Sequence, residues 1–140
     1  RDYYASRGLG DVYKRQALLY QITKQKSYLK DAQNIAEACH KHFFTHFISP
    51  DGQIFRLLKK GNIWFTAVML RGFIELYQID HNKTYLTDFQ KSLDYAWHHA
   101  RDERGLFQTD WSGTDKNEKK WLLTQAAFIE MYGRLGGIDL

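Results

Sequence analysis

The sequence predicts an all-α fold with one buried core, and three features of its 140 residues support this prediction. Pro50 is the only proline, and runs of alternating β-branched residues, which indicate strands, are rare. Hydrophobic residues make up 44% of the chain and aromatic residues 16%, which suits one domain with a buried core and is too much for a disordered chain. The third feature is an internal repeat.

The repeat is clearest in the motif Leu-Tyr-Gln-Ile of residues 19–22, which returns 57 residues later at residues 76–79. Further identities continue at the same offset, and a third, partial copy begins at residues 129–132. Repeats of this length are typical of stacked supersecondary units. The sequence therefore predicts several similar helical units, packed side by side.

Each unit is predicted to hold two helices of different character. Residues 62–79 and 121–135 are apolar on nearly every side, which is typical of helices that are buried all round. Residues 28–43 and 85–100 carry their apolar side chains on one stripe, as half-exposed helices do. Buried helices that alternate with half-exposed ones predict an inner and an outer ring of helices.

The connections between these helices are of two lengths. Inner helices lead to outer ones through short polar turns, whereas the outer-to-inner connections, residues 47–61 and 101–120, are long and contain glycine and aromatic residues. Because neighbouring helices are antiparallel, the long connections gather on one face of the array. Long loops on a rigid scaffold are where binding and chemistry usually occur.

Residues 1–16 are predicted to lie outside the domain, which leaves residues 17–140 as its folded part. The segment has no clear helical period, and its end, Val-Tyr-Lys-Arg-Gln, resembles a translated sequencing adapter; a frayed native terminus is the alternative. It also carries half of the net charge of +4. The remaining sequence has no Lys/Arg stripe and no apolar run near the ~18–20 residues that span a bilayer, so we expect neither a nucleic-acid partner nor a membrane span.

From about Ala17 to its end, the sequence resembles the C-terminal half of glycoside hydrolase family 76, the α-1,6-mannanases. The motifs that carry the resemblance are Ala-Leu-Leu-Tyr at 17–20, Trp-Phe-Thr-Ala-Val at 64–68, Arg-Gly-Phe at 71–73, Gly-Leu-Phe at 105–107, Asp-Trp-Ser-Gly at 110–113 and Trp-Leu-Leu-Thr-Gln-Ala-Ala at 121–127. The last two are the most specific. The resemblance implies part of an (α/α)6 barrel of six helical hairpins. It also implies retaining endo-hydrolysis of α-mannan or manno-oligosaccharides, and no cofactor is expected.

The catalytic pair of that family is two adjacent aspartates in its N-terminal half, and this sequence holds no Asp-Asp pair. Retaining hydrolysis requires an acid and a nucleophile with carboxyl groups about 5–5.5 Å apart. The resemblance therefore assigns no catalytic residue to this chain. We expect the chain to be inactive without the N-terminal half of the same domain, and to expose apolar helix faces. A full-length relative is expected to be secreted, periplasmic or attached to the cell surface.

Five residues on the long-loop face are predicted to bind substrate: Trp64, Phe65, Asp110, Trp111 and Gln125. A carboxylate beside an aromatic ring suits a sugar, because the acid accepts hydroxyl hydrogen bonds while the ring covers the apolar C–H face. The alternative is structural: Trp111 would hold the loop in the core, and Asp110 would cap a local turn.

Other conspicuous residues are interpreted as structural. Trp121 is predicted to pack in the core. Arg71 with Glu75, and Glu130 with Arg134, have the i,i+4 spacing of ion pairs on one helix.

Histidines are the remaining candidates for chemistry. His42 and His46 have the spacing of helical metal ligands near the end of an outer helix that also carries His40. No nearby acidic residue completes a site, so no metal is expected. Another toroidal sugar enzyme, an epimerase or a uronic-sugar hydrolase or lyase, would use histidines or carboxylates in the long loops, whereas His98 and His99 fall on an outer helix. A non-enzymatic helical-repeat binding module is the third hypothesis, and it would have short loops on both faces.

Overall fold

The computed structural model describes residues 14–140, which fold into five helices with one β-hairpin between the second and the third. The elements in chain order are α1 (residues 14–23), α2 (Lys26–Phe43), β1 (Phe44–Ile48), β2 (Ile54–Leu58), α3 (Ile63–Asp80), α4 (Thr84–His99) and α5 (Leu122–Gly136). Residues 1–13 of the predicted leader lie outside the described part. Residues 14–16 are helical and continue into Ala17, which is fully buried. The helix therefore includes the last three residues of that predicted segment.

Helix α3 is the centre of the inner layer, and it packs against α2, α4 and α5. Its buried residues lie on nearly all of its sides: Ile63, Ala67, Met69, Leu70, Gly72, Phe73, Ile74 and Leu76. The helix begins after Asn62, whose side-chain oxygen accepts hydrogen bonds from the backbone N–H groups of Trp64 (3.0 Å) and Phe65 (3.4 Å). It ends at His81, a left-handed residue with φ 56°. The prediction of a helix buried all round is confirmed for α3.

The outer helices α2 and α4 bury one stripe each, as the sequence predicts. The buried residues are Ala32, Ala36 and Cys39 in α2, and Leu86, Phe89, Ser92, Leu93 and Ala96 in α4. Each buried residue of α2 lies 57 positions before a buried residue of α4. The repeat seen in the sequence is therefore a repeat of packing. His40 adds a polar contact, because its Nε2 lies 2.6 Å from the Asp88 carboxylate and joins α2 to α4.

Part of the first long connection is a β-hairpin, which the all-α prediction missed. Phe44 pairs with Leu58 and Ile48 with Ile54 in antiparallel register, and Gly52 (φ 84°) lies in the turn. Phe44 and Leu58 are buried, and Ser92 of α4 accepts a hydrogen bond from the Leu58 N–H (3.2 Å). Helix α2 therefore ends at Phe43, and the chain continues in an extended conformation from Phe44.

The hairpin also corrects the prediction for the histidines. His46 lies on β1 rather than on the end of α2, so it and His42 do not share a helix. The spacing of helical metal ligands is therefore absent for this pair. None of the described residues 14–140 forms a group of three or more histidine, cysteine, aspartate or glutamate side chains that could hold a metal ion. The described residues also contain no helix that could span a membrane.

Helix α5 departs from the predicted all-round burial. It buries Ala127, Phe128, Met131 and Leu135 on one side, whereas Leu122, Leu123 and Ile129 are exposed. Ile129 is 72% exposed, although Ile74, at the same place in the preceding repeat, is only 9% exposed. The difference lies in the neighbours: α5 packs beside α3, whereas no described helix covers the other side of α5.

Glu130 joins the inner helices α3 and α5. Its carboxylate accepts hydrogen bonds from Arg71 of α3 (Nε 2.5 Å, Nη2 2.8 Å) and from Arg134 one turn further along α5 (2.8 Å). The predicted pair of Glu130 with Arg134 is confirmed, while Arg71 reaches across to Glu130 rather than to Glu75. The hydrogen bonds from Arg71, with those from Arg134, lower the pKa of Glu130 from 4.5 to about 2.

The depressed pKa of Glu130 predicts that the free energy of unfolding falls in acid. Because the pKa of Glu130 is lowered in the folded chain, Glu130 contributes fully to the free energy of unfolding above about pH 4.5. This contribution is lost as the pH falls towards about 2. We expect Glu130→Gln to lower the free energy of unfolding at neutral pH by on the order of 2–3 kcal/mol, and to flatten its decline in that acid range. Urea unfolding at a series of pH values measures both effects.

Glu37→Gln is the matched control, since Glu37 is 62% exposed and its carboxylate lies 3.8 Å from the amine of Lys41 on the same helix. Such surface pairs contribute less than about 1 kcal/mol. Equal losses of stability in the two variants would contradict the role given to Glu130.

Candidate functional site

A cleft of about 380 Å³ opens where the N-terminal ends of the inner helices α3 and α5 meet the loop of residues 101–120. We call it the inner cleft. Its lining residues are Gly61, Asn62, Ile63, Trp64, Thr109, Trp121, Leu123 and Thr124. The volume lies within the ~300–1,000 Å³ range of small-molecule sites. The long-loop face, where the sequence predicts a site, therefore holds a cavity of suitable size.

Trp64, a predicted substrate-binding residue, lines this cleft from the first turn of α3. The guanidinium carbon of Arg71 lies 5.4 Å from the centre of the indole, within the range of a cation–π interaction. Arg71 is itself held by Glu130 of α5. The ion pair that joins the inner helices therefore also orients the Trp64 ring.

Trp121 lines the same cleft and corrects a prediction. The sequence predicts a core position for this residue, yet it is 71% exposed and directly precedes α5. Trp64 and Trp121 thus stand at the N-terminal ends of two neighbouring inner helices. That position, at the end of a long loop on the same face, is the sequence feature that could have identified Trp121.

Trp111 has the opposite environment, since it is completely buried. Its ring lies 4.9 Å from that of Phe128 of α5, and it fixes the loop of residues 101–120 on the core. A fully buried ring presents no face to a sugar. The structural alternative considered for this tryptophan therefore describes its position.

Asp110 organises the loop beside it. Its carboxylate accepts hydrogen bonds from the N–H (3.0 Å) and the hydroxyl (2.8 Å) of Ser112, and from the N–H of Asp115 (2.9 Å). Burial acts to raise the pKa of Asp110, but these hydrogen bonds and the nearby Lys60 outweigh it and lower the pKa. Asp110 is thus a charged turn residue, next to the cleft-lining Thr109.

Gln125 of α5 hydrogen-bonds the loop of residues 101–120. Its amide oxygen accepts from the N–H of Phe107 (2.8 Å), and its amide nitrogen donates to the carbonyl oxygen of the same residue (2.9 Å). Phe107 also stacks on Phe128 with ring centres 4.2 Å apart. One N–H and one lone pair of the Gln125 amide therefore bond to the backbone at the base of the loop.

Of the five predicted substrate-binding residues, Trp64 alone is among the described residues that line the inner cleft. Phe65 is half-buried in the first turn of α3, and Asp110, Trp111 and Gln125 shape the loop. Asn62, Thr109, Trp121 and Thr124 also line the cleft, although the sequence does not predict them as substrate-binding residues. Thr109 is held by Asn117, whose side-chain oxygen accepts from its N–H (2.8 Å) and hydroxyl (3.2 Å).

The described lining of the inner cleft is polar and aromatic but not ionisable. Its described lining holds two indole rings, two threonine hydroxyls and one carboxamide, and none of these residues is a carboxylate or a histidine. Such a surface can cover an apolar ring face and exchange hydrogen bonds with hydroxyl groups. It offers no group for proton transfer at neutral pH.

Comparison with known proteins agrees with this architecture. The family model for glycosyl hydrolase family 76 matches residues 10–130, and the chain belongs to that family. Its helices form part of a six-hairpin (α/α)6 barrel, as predicted. No curated protein matches the sequence.

Two solved structures are similar to the chain. One is a family 76 glycoside hydrolase from a bovine Bacteroides thetaiotaomicron strain, 42% identical with a TM-score of 0.88. The other is a family 76 mannosidase from Bacteroides thetaiotaomicron VPI-5482, 36% identical with a TM-score of 0.86. Each match covers 93% of this chain, but only 28% and 36% of the respective relatives. The chain therefore spans about a third of the length of these proteins.

Gly113 allows the close approach of the loop to α4. It has φ 74°, and a Cβ atom there would collide with the backbone carbonyl of His99. We expect Gly113→Ala to lower the free energy of unfolding by more than about 2 kcal/mol, because it adds backbone strain to a steric clash. Thermal or urea unfolding measures the change.

Gly133→Ala is the matched control. Gly133 is an exposed position of α5 with open space around its Cα, so alanine is expected to stabilise the chain by up to about 1 kcal/mol. A Gly113→Ala variant as stable as the unmodified chain would show that the loop is not fixed against α4.

Proposed function

We propose that this chain contributes a sugar-binding subsite to an endo-α-1,6-mannanase, and that the whole protein hydrolyses α-mannan with retention. Membership of family 76 and the likeness to a mannosidase support the reaction class. The observation that carries the proposal is the joint placement of Trp64 and Trp121 in one cleft with Thr109 and Thr124.

The recognition rests on the two-sided chemistry of a sugar ring. A pyranose has an apolar C–H face, which an indole covers, and a rim of hydroxyl groups, which donate and accept hydrogen bonds. The inner cleft supplies both at the ends of rigid inner helices. Its neutral lining suits mannose, which carries no charged group.

Catalysis is proposed to lie outside this chain. Retaining hydrolysis needs two carboxyl groups about 5–5.5 Å apart, and the resemblance places them on adjacent aspartates that the sequence does not contain. In this account Trp64 touches the sugar, and Phe65 supports the start of α3. Asp110, Trp111 and Gln125 position the loop that carries Thr109.

Membership of family 76 favours this function over the other classes that share helical repeats. An epimerase, or a hydrolase or lyase of uronic sugars, would need histidines or carboxylates in its central cleft. The described lining of the inner cleft has neither. A non-enzymatic repeat module would have short loops on both faces, whereas here the long loop of residues 101–120 contributes Thr109 to the lining of the cleft.

The role of the indoles is testable by ligand binding. We expect Trp121→Ala to weaken the binding of α-1,6-mannotetraose by about tenfold, because an aromatic ring that covers a sugar face is worth about 1 kcal/mol or more. Trp64→Ala is expected to act in the same direction. Isothermal titration calorimetry with the unmodified chain as reference measures both.

Trp97→Ala is the matched control. Trp97 is 45% exposed on the outer helix α4 and does not line the inner cleft. The Trp97→Ala variant is expected to bind α-1,6-mannotetraose with the same affinity as the unmodified chain. The proposal fails if Trp121→Ala and Trp97→Ala bind the tetrasaccharide equally well.

The absence of catalysis is a separate prediction. The unmodified chain, incubated with linear α-1,6-mannan, is expected to release no manno-oligosaccharides, because it lacks the paired aspartates. Chromatography of the reaction mixture with pulsed amperometric detection provides the measurement. Release above an enzyme-free blank would place the catalytic carboxylates within this chain.

A further inference from the structure

A second cleft, of about 370 Å³, lies between the turn of the β-hairpin and the C-terminal half of α4. We call it the hairpin cleft. Among the described residues it shares no lining residue with the inner cleft, and it lies against the outer helix α4 rather than between the inner helices. It is therefore a separate surface, which the proposed function does not use.

The floor of the hairpin cleft contains a stacked pair of rings. The Tyr95 and His99 rings lie 4.2 Å apart between centres at an angle of 25°. The rings of Phe47 and Phe55, one on each strand, pack against the Tyr95 ring with distances between ring centres of 5.1 Å and 5.5 Å. The hairpin thus fixes Tyr95, and the exposed imidazole of His99 is presented as a flat surface.

Charged groups surround this platform. Asp51 lies in the hairpin turn and accepts a hydrogen bond from the Ser49 hydroxyl. Lys91 and Asp94 lie one helical turn apart on the exposed side of α4, and His98 follows. Hydrogen bonding from Ser49, supported by His99, lowers the pKa of Asp51, so this carboxylate accepts hydrogen bonds at neutral pH.

The composition of the cleft selects the class of ligand. The carboxylates of Asp51 and Asp94 outnumber the single amine of Lys91, so the lining disfavours the binding of an anion. A metal ion is disfavoured too, because the described residues provide no group of three ligands. A flat ring flanked by carboxylate acceptors and an amine donor instead matches a neutral molecule with an apolar face and many hydroxyl groups.

We propose that the hairpin cleft is an accessory saccharide-binding site, which holds one or two sugar units against the His99 ring while Asp51 and Asp94 accept bonds from their hydroxyls. The choice of a saccharide follows from the cleft itself, whereas the choice of mannose rests on the proposed function. The volume lies at the lower end of the ~300–1,000 Å³ range of small-molecule sites, which suits a short stretch of a polymer.

The test follows the imidazole NMR signals of His99 in the unmodified chain during titration with α-1,6-mannotetraose. We expect a shift that saturates, both in the unmodified chain and in Trp121→Ala, because the two clefts are separate. Signals of His99 that stay fixed throughout the titration overturn the proposal. Indole signals of Trp64 and Trp121, recorded in the same spectra, report the inner cleft independently. Shifts of His99 with static indoles would therefore remove the proposed function and leave the accessory site standing.

A matched pair of variants locates the ligand. Asp94→Ala is expected to raise the midpoint of the His99 titration about tenfold, because it removes a charged hydrogen-bond acceptor. Asp31→Ala is the control, since Asp31 is an exposed acid on the other outer helix, α2, and does not line the cleft. Equal midpoints in the two variants would overturn the proposed contact and, with it, the site.

Discussion

The two hydrogen bonds between the Gln125 amide and the backbone of Phe107 are the constraint on which the loop face of this chain depends. They fasten the loop of residues 101–120 to the first turn of α5, and the burial of Trp111 against Phe128 fastens the same loop at its middle. Between these anchors lies Thr109, which lines the inner cleft. The anchors therefore hold Thr109 in place opposite the N-terminal ends of α3 and α5.

A second constraint links the core to the same cleft. Glu130 ties α5 to α3 through Arg71, and Arg71 also lies over the Trp64 ring. The distance between the inner helices and the orientation of the indole thus depend on one set of contacts. This arrangement agrees with the general need for binding groups to be held by packed, hydrogen-bonded neighbours.

The helical architecture could be predicted from the sequence because the spacing of apolar residues along each helix shows which side of it is buried. The stripe of Ala32, Ala36 and Cys39 recurs in α4 at an offset of 57 residues, and both stripes are buried. The hairpin could not be predicted in this way, since the pairing of Phe44 with Leu58 is a contact between distant residues. Only part of the candidate site could be predicted, because the burial of each side chain also depends on contacts between distant residues. Sequence placed tryptophans at both 111 and 121 on the loop face, but only packing decides that Trp111 enters the core and Trp121 faces the cleft.

A crystal structure of the chain with α-1,6-mannotetraose would show directly where the sugar binds. We expect a mannose ring in the inner cleft, with its C–H face on an indole of Trp64 or Trp121 and hydroxyl groups within hydrogen-bond distance of Thr109 or Thr124. A complex in which the sugar is bound and the inner cleft is empty would contradict this expectation.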